Sequence, residues 1–188
     1  MNAPVRYVPD FIAAGARDAA FLLLREGLAW ERRESAPRSE YWTNTLNRPY
    51  TYGRGAGVRT YEARPSHPTV DTIRDRVKAE TGALLEGCFL NLYLNGADSL
   101  GWHADDDPGI DHSKPIAVVT LGDGREIAFK SKEPGSHPSR LYLEPGSLLL
   151  MEAGMQSTHF HAIPKVKEAA GADVIGPRIS LTFRGLVH

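Results

Sequence analysis

The pattern of apolar and polar positions changes period near Gly82. Before it, two stretches carry helical spacing. Residues 10–30 place Ile12, Ala16, Ala19, Ala20, Leu23 and Leu24 on one face, with Asp10 as the expected cap. A second helix is expected after Ser66, a candidate cap. Pro68 suits its first turn, Val70, Ile73 and Val77 form its stripe, and Gly82 is its expected stop. Between the two, residues 32–66 have no clean period and are rich in Arg, Tyr, Pro and Gly. They read as a loop-and-hairpin insertion. After Gly82 the period is two. Phe89–Leu94, Pro115–Leu121, Glu126–Lys130, Arg140–Leu143, Ser147–Glu152, His159–Ile163 and Arg178–Arg184 read as strands. Asn95-Gly96, Asp123-Gly124 and Pro145-Gly146 supply turns between them. Residues 165–177 read as a flexible surface loop. Helices followed by many short strands predict an α+β chain with a sandwich or jelly roll.

With 188 residues, the chain is expected to form one domain with a real core. Its net charge of -1 points to neither nucleic acid nor membrane, but the distribution is uneven. Residues 1–80 carry 13 Lys and Arg against 10 Asp and Glu, and the remainder carries 9 against 13. Arg32, Arg33, Arg38, Arg48, Arg54, Arg59 and Arg64 concentrate the basic side. Cys88 is the only cysteine, so no intrachain disulfide can form; flanked by Phe89, it reads as a buried thiol. No signal-peptide apolar segment and no membrane-length apolar run is present, so a soluble, cytoplasmic monomer is the expectation.

The chemistry starts at Asn91–Asp107, which contains His103-Ala104-Asp105. A His and an Asp two apart on an extended backbone project to the same side and can share a metal. His112, His137, His159, His161 and His188 lie downstream. His159 and His161, on one face of a short strand, are the two that could complete the set. Two His and one carboxylate suit a non-haem Fe(II) oxygenase, and a zinc hydrolase accepts the same ligands. The last strand sharpens this. Ile179, Leu181 and Phe183 alternate with Arg178, Ser180, Thr182 and Arg184. Two arginines flanking two hydroxyls can clamp a dicarboxylate, and beside a facial-triad iron that suggests 2-oxoglutarate.

Several motifs then coincide. They are Asn91-Leu-Tyr93, Trp102-His103-Ala104-Asp105-Asp106-Asp107, Pro-Gly-Ser-Leu-Leu-Leu-Met ending at Met151, His161 before Ala-Ile-Pro, and Pro177-Arg178-Ile-Ser-Leu-Thr-Phe-Arg184. In order and spacing the chain resembles the AlkB family of Fe(II)/2-oxoglutarate dioxygenases, most of all the subgroup of human homologues 2 and 3. The resemblance runs from about Pro37 to the end of the sequence. It implies a double-stranded β-helix (jelly-roll) core over residues 85–188, N-terminal helices packed on one sheet, and a substrate lid over 32–66, all in one domain of residues 1–188. It implies His103, Asp105 and His161 as ligands of Fe(II). It implies Asn91, Tyr93, Arg178, Ser180 and Arg184 around 2-oxoglutarate, with Arg178 on the distal carboxylate and Arg184 near the carboxylate that meets iron. Ser180 departs from the Asn that members of the family often carry.

The lid stretch Arg48-Pro-Tyr50-Thr-Tyr52-Gly53-Arg54 combines arginine for phosphates with aromatics for bases. The resemblance implies Tyr52 stacking on the target base with Tyr50 and Arg54 beside it, and Asp107 at the base edge. The implied activity is oxidative demethylation of N-alkylated bases in DNA, possibly RNA, with single strands favoured. Fe(II), 2-oxoglutarate and O2 are consumed or used, and succinate, CO2 and formaldehyde are released. The alternatives are an oxygenase acting on RNA, protein or a small molecule, and a non-catalytic metal-binding module that recognises alkylated nucleic acid.

Overall fold

The computed structural model describes residues 3–34, 36–53, 58–166 and 175–188. Among the described residues, twelve strands and three helices run in the order β1 (Val5–Val8), α1 (Ala14–Gly27), β2 (Ser39–Asn44), β3 (Tyr50–Tyr52), β4 (Arg59–Tyr61), α2 (Pro68–Thr81), β5 (Gly87–Tyr93), β6 (Leu100–His103), β7 (Ile116–Gly122), β8 (Arg125–Ser131), β9 (Ser139–Leu143), β10 (Leu148–Met151), α3 (Met155–Thr158), β11 (His159–Ile163) and β12 (Arg178–Arg184). A six-stranded antiparallel sheet has the order β1-β10-β7-β12-β5-β2, a four-stranded sheet the order β6-β11-β8-β9, and β3-β4 form a separate hairpin. This is the α+β jelly roll that the period change allowed, and the double-stranded β-helix that the resemblance implied. Among the described residues no helix is long and apolar enough to cross a membrane.

The alternation along β12 explains the layers. Ile179, Leu181 and Phe183 join Leu24, Val70, Ile73 and Val77 in the cluster between the large sheet and the helices. Tyr93, Val118, Ile127, Phe129 and Ile163 fill the space between the two sheets. Both faces of the large sheet are therefore covered, and every residue of β12 and β5 is buried. The polar side chains of β12 lie in the interior of the sandwich, where each needs a partner or a ligand.

α2 follows its pattern, with Gly82 closing it at φ 69°, a left-handed position that suits glycine. Its N-cap is His67 rather than Ser66: the His67 ring accepts the Thr69 N–H, while Ser66 bonds Asp71. The first helix is shorter than 10–30, and Asp10 does not cap it. Asp10 has a positive φ, the Ile12 N–H is taken by the Gly146 carbonyl at 2.8 Å, and Ala13 precedes the first turn. Only Ala20 and Leu24 of α1 are buried; Leu23, expected inside, is half exposed. The larger correction concerns residues 32–66. Ser39–Asn44 is an edge strand of the large sheet with all six residues buried. Covered on both faces, it has no period-two signature to read. The short strands β1 and β6 also escape the sequence pattern, whereas the β3-β4 hairpin lies where an insertion hairpin was expected. Residues 167–174 of the expected loop fall outside the described residues.

Candidate active site

The four-stranded sheet brings His103, Asp105 and His161 together. β6 pairs with β11 so that His103 stands opposite His161, and the pairing slips by one register step just beyond. The two rings lie with centroids 4.1 Å apart. Asp105 leaves the end of β6 two residues later and turns its carboxylate to the same point. One ligand atom from each residue lies within 4.8 Å of the others. His159, the other candidate, is not in this cluster; its Nδ1 meets the Thr158 hydroxyl at 2.8 Å.

His103 and Asp105 are held from behind, whereas His161 Nδ1 is buried without a hydrogen-bond partner among the described residues. His103 Nδ1 donates to the Gly101 carbonyl at 2.9 Å, because a carbonyl can only accept. That leaves Nε2 as the lone-pair nitrogen, 3.8 Å from Asp105 Oδ1. Arg184 donates from Nε and Nη2 to Asp105 Oδ2 at 3.1 and 2.8 Å. The Asp105 N–H donates to Gln156 Oε1 at 3.0 Å, and Lys132 donates to the Gln156 carbonyl at 2.8 Å. Burial alone would raise the Asp105 carboxyl, but the Arg184 guanidinium and the two imidazoles bring it down to about 2. Burial, with His103 beside it, pushes the His161 imidazole down to about 3, and burial also lowers His103. Both rings are thus neutral and the aspartate ionised at neutral pH, the protonation states that metal ligation needs.

Two cavities meet at this cluster. One is lined by Asn91, Tyr93, Arg178, Ser180, Thr182 and Arg184 beside the three ligands. At its end Arg178 is fully buried, over the Tyr93 ring at 5.3 Å, and donates from Nη2 to the Thr120 hydroxyl at 3.0 Å. Its Nε and Nη1 are buried without a partner. The two clamp arginines expected from β12 are therefore not equivalent. Arg184 is engaged with Asp105 through Nε and Nη2 and keeps only Nη1 unpartnered, whereas Arg178 has both Nε and Nη1 to spare.

The second cavity is lined by Arg38, Tyr50, Tyr52, Tyr61 and Phe89 and reaches His103 and Asp105. Tyr52 stands edge-on to His103 with ring centroids 6.2 Å apart. Tyr50 is buried and donates its hydroxyl to Asp107 at 2.7 Å, which ties the lid hairpin to the metal loop. Burial raises both phenols, Tyr52 to about 12. Arg54 lies outside the described residues. Sequence reasoning missed Arg38, Glu40, Thr120 and Gln156 as parts of this region. Gln156 sits on a one-turn helix and Thr120 inside an apolar strand, and neither position carries a signal of its own.

Residues 15–184 match the family profile described as the 2OG-Fe(II) oxygenase superfamily. The chain belongs to this superfamily. Within it, it is an AlkB-family member. It is 30% identical over 193 residues to the human alpha-ketoglutarate-dependent dioxygenase alkB homolog 3, covering 94% of this chain and 64% of that protein. It is 33% identical over 160 residues to the bovine DNA oxidative demethylase ALKBH2, covering 81% of this chain and 54% of that protein. The chain thus spans somewhat more than half the length of these relatives. A solved structure of OsALKBH1 superposes with a TM-score of 0.69 at 16% identity, covering 98% of both chains, which shows the shared fold.

The superfamily's cofactors are Fe(II), 2-oxoglutarate and O2, and the residues present fit them. Two neutral imidazoles and one ionised carboxylate form the facial donor set. The buried Arg178 donors left without partners suit a carboxylate at the far end of the first cavity. A cluster of zinc-hydrolase type would have no use for that second feature.

Proposed function

We propose that this AlkB-family chain removes alkyl groups from N-alkylated bases of DNA or RNA by oxidation. One observation carries the reading: a single His-Asp-His cluster forms the floor of two cavities of different chemistry. One ends in a buried arginine with free donors, and the other is walled by tyrosines of a hairpin.

In this reading His103, Asp105 and His161 hold Fe(II). Arg178 takes the distal carboxylate of 2-oxoglutarate, and Asn91, Tyr93 and Ser180 line its path. Arg184 acts one step back, by fixing the Asp105 carboxylate. Tyr52 stacks on the alkylated base, while Tyr50 and Asp107, joined by their hydrogen bond, form the wall at the base edge. When bound, iron with 2-oxoglutarate and O2 supplies the oxidation that hydroxylates the N-alkyl carbon, giving succinate and CO2, after which the hydroxyalkyl group leaves as an aldehyde, formaldehyde from methyl. The protein's share is placement. In this reading the pocket lined by Tyr52 and Arg38 receives the base, so the base must leave its stack, and a single strand opens at lower cost than a duplex. Val118, Ile127 and Ile163 give the inner cavity an apolar side.

The test is mass spectrometry of N-methylated oligonucleotides, single- and double-stranded, DNA and RNA, after incubation with Fe(II), 2-oxoglutarate and O2. Loss of one CH2 from a methylated base, fastest in single strands, is the expected result. Succinate formation with every oligonucleotide left unchanged would point to a protein or small-molecule substrate instead.

A further inference from the structure

A row of buried polar residues crosses the inner face of the large sheet. In register, Glu40 on β2 stands opposite Asn91 on β5, Asn91 opposite Ser180 on β12, and Ser180 opposite Thr120 on β7. All four are buried. At one end Thr120 accepts from Arg178. At the other, Glu40 accepts from Arg38 Nη2 at 2.6 Å and from the Tyr61 hydroxyl of the lid hairpin at 2.9 Å. Arg38 closes the gap by donating from Nε to Asn91 Oδ1 at 2.7 Å.

An arginine has donors only. The Asn91 atom it meets must therefore be the amide oxygen, which settles a choice that an asparagine amide otherwise leaves open. The two Asn91 N–H groups are left for the cavities that Asn91 lines, the cosubstrate cavity and the tyrosine cavity. Arg38 itself borders only the tyrosine cavity, where its Nη1 has a long contact of 3.5 Å to the Ser99 carbonyl. Glu40 brings a full charge into the interior, with its side chain wholly covered. Such a pair adds little net stability over an apolar one of the same volume. It does fix the guanidinium in one place.

We propose that Arg38 is a positioning residue common to both cavities. Clamped by Glu40 and Tyr61, it sets the Asn91 amide toward 2-oxoglutarate while its free edge faces the base. This rests on the assignment of the two cavities made above. It follows that a base pressing on Arg38 changes the hold on 2-oxoglutarate, and by reciprocity 2-oxoglutarate changes the hold on the base.

The experiment is calorimetry of 2-oxoglutarate binding to the full chain loaded with Mn(II) in place of Fe(II), without and with saturating N-methylated oligonucleotide. Arg38→Lys keeps the charge but loses the fork. It should weaken 2-oxoglutarate binding about tenfold even with no oligonucleotide present, the scale of one hydrogen bond to a charged group. Glu40→Ala should do the same. Glu40→Gln should restore binding, because its amide offers an oxygen to Arg38 and an N–H to the Tyr61 hydroxyl. In the wild type the oligonucleotide should shift 2-oxoglutarate affinity severalfold, and Glu40→Ala should abolish that shift. Unchanged 2-oxoglutarate affinity in Arg38→Lys with a native near-ultraviolet circular dichroism spectrum overturns the proposal. So does Glu40→Gln behaving like Glu40→Ala, or a wild type indifferent to the oligonucleotide it binds. If the wild type binds no oligonucleotide, the nucleic acid assignment fails, while the measurement without oligonucleotide still decides whether Arg38 sets Asn91.

Discussion

Arg178 and Tyr52 line different cavities beside the same histidine, and the protein holds them by different means. Arg178 stands on a central strand with β5 on one side and β7 on the other, fully buried, its guanidinium set by Thr120 and the Tyr93 ring. Its position follows from backbone register. Tyr52 stands on a hairpin that pairs with neither large sheet and is joined to the core through side-chain contacts: the bonds of Tyr50 to Asp107 and Tyr61 to Glu40, and the packing of Tyr50 and Tyr61 against Trp42 and Phe89. The cosubstrate side is thus fixed by the sheet. The substrate side is fixed by tethers, which can yield to ligands of different shape without disturbing the sheet.

The contrast is sharpest in what each loss should cost. Asp105→Ala removes a ligand and leaves Arg184 buried without its partner. Fe(II) affinity in an anaerobic titration should fall by more than about 100-fold, beyond what the loss of an outer-shell partner costs, and stability by about 3–5 kcal/mol. Asp105→Asn, which keeps an acceptor for Arg184, should recover most of the stability and little of the iron. Arg178→Ala should weaken 2-oxoglutarate by roughly 2–5 kcal/mol, the cost of truncating one partner of a buried charge pair, read as the concentration needed for half-maximal succinate release. Tyr52→Ala should weaken binding to a methylated oligonucleotide by about 1–3 kcal/mol, the worth of one stacked base, and leave succinate release without oligonucleotide unchanged. Equal loss of both activities in Tyr52→Ala would erase the distinction between sheet and tether.

A further effect is expected on pH. In the metal-free protein the His161 imidazole is held to about 3 against an ordinary 6.5. Below pH 6.5 the unfolded chain therefore takes up a proton that the folded chain refuses until about 3, so stability falls as pH drops through that window. Asp105, at about 2 against 3.8, acts in the same direction lower down: its contribution is present above 3.8 and lost toward 2. Melting temperatures of the metal-free protein should decline from about pH 7 to about pH 4, and His161→Gln should flatten that slope.

The same contrast governs what could be read from the sequence. The strands behind the cosubstrate cavity announce themselves: His159–Ile163 and Arg178–Arg184 have the limits expected from their alternation. The substrate side was legible in composition but not in place. Tyr50 and Tyr52 stand out beside arginines, yet nothing local says that Tyr50 is buried against Asp107 or that Glu40 is a charged interior residue. β2 hides because both its faces are covered, and Arg38 because a lid arginine reads as a phosphate contact until the sheet places it over Asn91. The division of labour between Arg178 and Arg184 was equally hidden. On the strand they are equivalent, and only the approach of Asp105 from another sheet separates them.

That approach has a consequence for denticity. A carboxylate can grip a metal with one oxygen or with two. Asp105 Oδ2 already receives two N–H groups of Arg184, so a second grip would break both. In the proposed reading Arg184 would thereby leave the aspartate a single point of attachment through Oδ1, the oxygen nearest His103. One atom from each of His103, Asp105 and His161 would then hold the metal, leaving it open to a chelating keto acid and one further small molecule.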